Sequence, residues 1–103
     1  GTALLYLEIY LFNKANIILN RADLEKANFS HANLSRACAV DAKFPNANFQ
    51  YANLTRATLL KSDLTNASLT NTKQSYTILK DAILTGTLLE HNKQVPTFKI
   101  TRT

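Results

Sequence analysis

From Ala22 onward, apolar and polar positions repeat every five residues. Written in fives, the chain reads ADLEK, ANFSH, ANLSR, ACAVD, AKFPN, ANFQY, ANLTR, ATLLK, SDLTN, ASLTN, TKQSY, TILKD, AILTG, TLLEH. Call the middle residue of each five i. Position i−2 is always Ala, Ser or Thr, and position i is Leu or Phe in twelve of the fourteen, Ala39 and Gln74 being the exceptions. The remaining three positions are mostly polar. A helix repeats at ~3.6 residues and a strand at 2, so this period belongs to neither. It predicts a coil that turns a corner every five residues, with one large side chain pointing inward per side and a small one beside each corner. Repetition at a fixed period marks a solenoid, whose turns bury a continuous column that no single turn could bury alone.

The runs RADLEKANFSHANLSRA and NANFQYANLTRATLLKSDLTNASL carry a tandem A(D/N)LXX motif. In this the chain resembles the pentapeptide-repeat family over residues 20 to 91. The resemblance implies an all-β solenoid, a right-handed quadrilateral β-helix with four fives per coil. Fourteen fives then give about 3.5 coils, and at ~4.8 Å between paired strands the column is ~17 Å tall. The expected organisation is an N-terminal cap and junction at 1–21, the β-helix at 22–91 and a C-terminal tail at 92–103.

With a twenty-residue coil, residues twenty apart stack. The inward columns become Leu24–Phe44–Leu64–Leu84, Phe29–Phe49–Leu69–Leu89, Leu34–Leu54–Gln74 and Ala39–Leu59–Leu79. Phe29 over Phe49 predicts an aromatic stack. Ala39 makes room among Phe29, Phe44 and Phe49. Gln74 is a defect in the column, placed where the C-terminal end can bulge and admit water. Outside, Asp23–Lys43–Asp63 and Asp41–Lys61–Asp81 alternate in charge, as favourable cross-strand pairs would. Asn33 falls over Asn53, which predicts an amide ladder, and Arg36 falls over Arg56 with Tyr76 above as a stacking partner for arginine.

Both ends of such a column need covering. The segment ALLYLEIYLF, residues 3 to 12, is the expected N-terminal cap, a short apolar helix. Leu4, Leu7 and Leu11 lie along one side of it and Leu5, Ile9 and Phe12 along another. A cap needs one apolar side, so the second is expected to join this chain to another copy or to a neighbouring domain. The junction falls near 13 to 21, where the phase slips by two residues. A second apolar strip, with Cys38, Val40, Leu60 and Ile78, is expected on the face that carries Ala39, Leu59 and Leu79. The chain begins with Gly1 and contains no Met, as a processed product or a domain of a longer protein would.

Charge alters this picture little. The chain carries +5, but residues 22–91 hold seven cations against six anions, so the excess lies in the flanks. Family members that inhibit or protect gyrase by imitating DNA need a strongly acidic surface, and this body has none. A DNA-mimicking topoisomerase inhibitor is therefore the disfavoured alternative. Anion or nucleic-acid binding through the basic flanks is another, although nucleic acid is not the expected partner. Arg36 and Arg56 could contact phosphates, but no aromatic residues are expected to interleave with them.

Catalytic chemistry has few candidates. Cys38 lacks a base on its own face, and His31 and His91 lie three coils apart. There is no zinc-type spacing and no Gly-rich phosphate loop. No cofactor is expected. The apolar cap segment is about half the ~20 residues that cross a membrane. The expected role is a non-catalytic structural or protein-interaction module, cytoplasmic, with an unknown protein partner. Its candidate interaction surface comprises Leu5, Ile9, Phe12, Val40, Leu60, Ile78, Arg36 and Arg56.

Overall fold

The computed structural model describes residues 16–90. Ten isolated parallel bridges run through it, from Ile18↔Cys38 to Asp63↔Ile83, and every one joins residues twenty apart. Each side of the coil is too short to be a strand: one bridging residue at i−1 separates successive turns. The coil therefore has four sides. The first face stacks 22–26, 42–46, 62–66 and 82–86; the second stacks 27–31, 47–51 and 67–71. The third stacks 32–36, 52–56 and 72–76; the fourth stacks 17–21, 37–41, 57–61 and 77–81.

Backbone hydrogen bonds explain the motif position by position. In the five centred on Phe29, Phe29 N–H donates to Asn48 C=O one coil on (2.7 Å) and His31 N–H to Gln50 C=O (2.9 Å). Asn48 N–H returns the bond to Ala27 C=O (3.0 Å), and Ala32 N–H closes the corner onto Phe29 C=O (2.9 Å). That leaves only the N–H at i+1, and the Asx side chain at i−1 takes it. Asn28 Oδ1 accepts from Ser30 N–H at 2.9 Å, Asn48 from Gln50 at 2.9 Å, Asn53 from Thr55 at 3.0 Å and Asp63 from Thr65 at 2.9 Å. Short Asx side chains suit this local bond. Where i−1 is Lys43, position i+1 is Pro45, which has no N–H to satisfy. Where i−1 is Cys38, Asn20 of the preceding coil reaches over to Val40 N–H at 2.8 Å.

Every corner holds residue i+2 at positive φ, near +60°, in fourteen non-glycine residues from Asn16 to Asp81. This is the turn geometry that admits Gly or Asn most readily. Asn16, Asn46, Asn66, Asn71, Asp41 and Asp81 accept it cheaply, whereas Lys26, Arg36, Tyr51, Arg56, Lys61 and Tyr76 are held there against ~1–2 kcal/mol each. From Asn16 to Asn66 each corner N–H donates to a carbonyl one coil on, and that bond offsets the strain.

Inside, positions i−2 and i are buried along most of the column. Phe29 and Phe49 stack at 4.8 Å with planes 7° apart, as expected, and Phe44 sets its edge against both at 5.5 and 5.2 Å. Ala39, in the same core, is 1% exposed. Alanine at i−2 is fully enclosed at positions 42, 52 and 57.

Five expectations change. The frame does not slip before Asp23: Ile18 bridges Cys38, and Asn16 already has the corner φ, so 17–21 is a side of the coil. Ile17 disguises this five by placing a large residue at i−2. It is partly buried and packs against the core. At the other end, 87–90 leaves the register. Thr87 Oγ1 donates to Leu84 C=O and Glu90 N–H to Thr87 C=O, which closes a turn, although Leu89 still packs on the core. Residues 17–86 thus hold the fourteen registered fives, about 3.5 coils displaced by one side from expectation.

Gln74 is half-buried and satisfied, its Nε2 donating to Thr72 Oγ1, which donates onward to Leu69 C=O at 3.0 Å. The Asn33–Asn53 amide ladder is not made either. Asn33 Oδ1 accepts instead from Ser35 N–H at 3.1 Å and Ser35 Oγ at 2.7 Å. Finally, the charged columns have the expected register, with Asp23↔Lys43↔Asp63 bridged in order. Their side chains nevertheless form no ion pair among the described residues: the Asp63 carboxylate turns along its own chain to Thr65 N–H and Oγ1. A fixed local bond outcompetes an exposed pair worth ~0–1 kcal/mol. The helical cap expected at 3 to 12, and the tail from 92, lie outside the described residues.

Candidate interaction faces

The register gives each face its own chemistry. The first carries Asp23, Glu25, Asp41, Asp63 and Asp81 along its side and entry corner, mixed with Arg21, Lys26, Lys43 and Lys61. Five of these (Arg21, Asp41, Lys43, Lys61 and Asp63), with Ala42 and Ile83, line a shallow open cleft. The second face is neutral and amide-rich, with the side-chain oxygens of Asn28 and Asn48 committed to the backbone N–H groups of Ser30 and Gln50 in their own turns.

The third face holds no Asp or Glu, and it carries Arg36, Arg56 and Lys73. Aromatic residues border it at both corners. Tyr51 stacks on His31 at 4.9 Å with planes 6° apart along one corner, and Arg56 lies over the Tyr76 ring at 4.6 Å along the other. The second contact follows from the Arg36–Arg56–Tyr76 column, and it draws the Arg56 guanidinium away from Arg36.

The fourth face is the apolar one. Its i−1 column reads Ile18, Cys38, Thr58, Ile78, and its i+1 column Asn20, Val40, Leu60, Lys80. Ile18 is 67% exposed and Ile78 39%, with Val40 and Leu60 half-buried between them. Cys38 is a free thiol whose Sγ donates to Asn20 Oδ1 at 3.1 Å. The structure therefore brings Val40, Leu60 and Ile78 onto one face and sets Arg36 and Arg56 along its corner. Leu5, Ile9 and Phe12 lie outside the described residues. Ile18 was missed because Ile17 hid its frame; counting back by twenty from Cys38 would have found it.

Among the described residues no three His, Cys, Asp or Glu side chains cluster as metal ligands would, and no helix is long and apolar enough to cross a membrane. The repeat unit is matched by the family model for pentapeptide repeats, in eight copies over residues 15–46 and 47–86. The chain belongs to the pentapeptide-repeat family. Among solved structures it is similar to a pentapeptide repeat protein of the Arabidopsis thaliana thylakoid lumen, at 27% identity and a TM-score of 0.70, over 71% of this chain and 50% of that one. It is also similar to the pentapeptide repeat protein Rfr23 from the cyanobacterium Cyanothece 51142, at 33% identity and a TM-score of 0.56, over 70% of this chain and 46% of that one. The chain thus spans about half the length of these pentapeptide-repeat relatives. No curated protein matches it. The match from residue 15 agrees with the early start of the coil.

Proposed function

We propose that this pentapeptide-repeat chain is a non-catalytic protein-interaction module whose fourth face is the docking surface. The observation that carries the reading is the column Ile18–Cys38–Thr58–Ile78, flanked by Val40 and Leu60; elsewhere among the described residues the large exposed aliphatic side chains are Ile83 and Leu88. Contiguous exposed apolar surface of this kind marks interfaces. Arg36 and Arg56 at its corner supply a charged rim. In this reading Leu5, Ile9 and Phe12 link the module to a neighbouring domain of a longer chain or to another copy.

Imitation of DNA is the weaker reading, because no face is predominantly acidic and the acids of the first face alternate with lysines. Anion binding is favoured instead by the acid-free third face, where Arg36, Arg56 and Lys73 lie beside Tyr51 and Tyr76. Affinity for an anionic polymer that falls steeply with salt would support it, and absence of binding at low salt would remove it.

The docking reading is tested by placing a photo-cross-linking amino acid at Thr58, on the fourth face, or at Gln50, on the second, and irradiating in the cell of origin. Adducts specific to position 58 and lost on Leu60→Lys are expected. Identical adducts from both positions, or none from 58, would contradict it.

A further inference from the structure

The fourth face, read upward and then downward, is complementary to itself. Going up the coil, its leading corner reads Arg21, Asp41, Lys61, Asp81; going down, the order is Asp81, Lys61, Asp41, Arg21. Charge alternates over an even number of levels, so reversal places opposite signs together at every level. The apolar columns show the same property. Ile18, Cys38, Thr58, Ile78 begins and ends on isoleucine with two small residues between, and Val40 and Leu60 occupy the two central levels beside them.

We propose that the partner of the fourth face is a second copy of this chain, packed face to face and antiparallel about a two-fold axis perpendicular to the coil. The inference rests on the docking role proposed above and names its occupant. A two-fold interface is isologous, so each contact occurs twice. Ile18 packs against Ile78 of the second copy, Val40 against Leu60, and Cys38 beside Thr58. Arg21 meets Asp81, and Asp41 meets Lys61. Within one chain none of these four charged side chains makes an ion pair among the described residues.

The parallel arrangement is worse. A two-fold axis along the coil would set this corner against the opposite one, pairing Asp41 with Arg36 but also Lys61 with Arg56. In the antiparallel arrangement the opposite corner brings Arg36 level with Arg56 of the second copy. This is its one unfavourable contact, eased where the Arg56 guanidinium is drawn onto Tyr76. The first face is the poorer candidate for self-pairing, because its bridging column, Asp23–Lys43–Asp63–Ile83, has a single apolar residue where the fourth face has isoleucine at both ends.

Size limits the affinity. Four levels at ~4.8 Å give a patch ~20 Å tall, a few hundred Å² per copy, against the ~800 Å² per partner of a standard stable interface. The dimer is consequently concentration-dependent, and because exposed ion pairs set its orientation, salt weakens it.

Charge exchange tests this. Asp41 and Lys61 are exposed, and Lys and Asp already occupy the same corner φ at Lys26 and Asp81, so Asp41→Lys and Lys61→Asp leave the coil intact. Circular dichroism of each variant checks that they do. In sedimentation equilibrium at low salt, the unaltered chain is expected to self-associate. Each variant alone sets like charges together and should associate at least tenfold more weakly. An equimolar mixture restores opposite charges at both contacts. The two introduced side chains face each other, and so do the two native ones, Lys61 of the first variant and Asp41 of the second. The mixture should therefore form a 1:1 heterodimer. A chain that stays monomeric at high concentration and low salt, or a mixture no stronger than either variant, overturns the proposal. If the chain is monomeric while adducts at position 58 still depend on Leu60, the occupant is wrong and the docking face stands. If those adducts are absent as well, both readings fall.

Discussion

Ser62 occupies an i−2 position, fully enclosed, and its hydroxyl is the one buried side-chain polar atom among the described residues with no partner. Thr77, also at i−2 and also enclosed, donates its hydroxyl to Leu54 C=O at 2.6 Å. The preference for alanine at this position is thus a preference for a small residue that brings no polar atom needing a partner. Ser62→Ala should stabilise the coil by about 1 kcal/mol, read as a higher urea midpoint with unchanged slope. Asn53 presents the opposite case. Its carbonyl oxygen accepts the otherwise unpaired Thr55 N–H at 3.0 Å, so Asn53→Ala should cost about 1 kcal/mol, while Asn53→Asp, which keeps an acceptor in place, should cost less. Equal losses for the two variants would show that the bond contributes nothing. Cheaply twisted corners matter too. Lys26 sits at φ 62°, so Lys26→Asn should be neutral or stabilising and Lys26→Val destabilising by about 1 kcal/mol or more in the same assay.

At the scale of one side and its stack, the aromatic cluster dominates. Phe49 is 0% exposed, stacked on Phe29 and edge-on to Phe44. Phe49→Ala should cost about 3–5 kcal/mol, a large share of the stability of a small domain, and thermal unfolding would show it directly. This stack was legible in the sequence because a twenty-residue offset puts two phenylalanines in one column. The charge register was legible for the same reason. The destination of each side chain was not. An Asn over an Asn looks alike in sequence whether the amides bond to each other or each to its own turn, and the local bond wins because it closes without ordering a second side chain. The corner conformation was also hidden. Arg, Lys and Tyr carry no sign of positive φ; the ladder imposes it on them. Ile17 concealed the first described side because it sets a large residue where the other fives have a small one, and Thr87 to Glu90 kept the rhythm of the fives after leaving the register.

For the molecule as a whole, the period turns a linear sequence into four surfaces of different character. Each surface collects residues twenty apart, so a face is written into the chain one five in every four. That is how Ile18, Cys38, Thr58 and Ile78, scattered over sixty residues, become one column, and how all acids can be absent from the third face. It is also why net charge was a poor guide to function: the +5 of the chain describes no single side.

All of these surfaces depend on the backbone completing a circuit in twenty residues, and the single native thiol permits a direct measurement. A second cysteine introduced at Thr58, Asn53 or Asp63, each half-buried like Cys38, can be challenged with a short reagent that fluoresces only when it bridges two thiols. Cys38 bridges Thr58 in the ladder, so the Thr58→Cys variant should become fluorescent rapidly while Asn53→Cys and Asp63→Cys do not. Equal labelling of all three, or faster labelling at 53 or 63 than at 58, would contradict the twenty-residue coil.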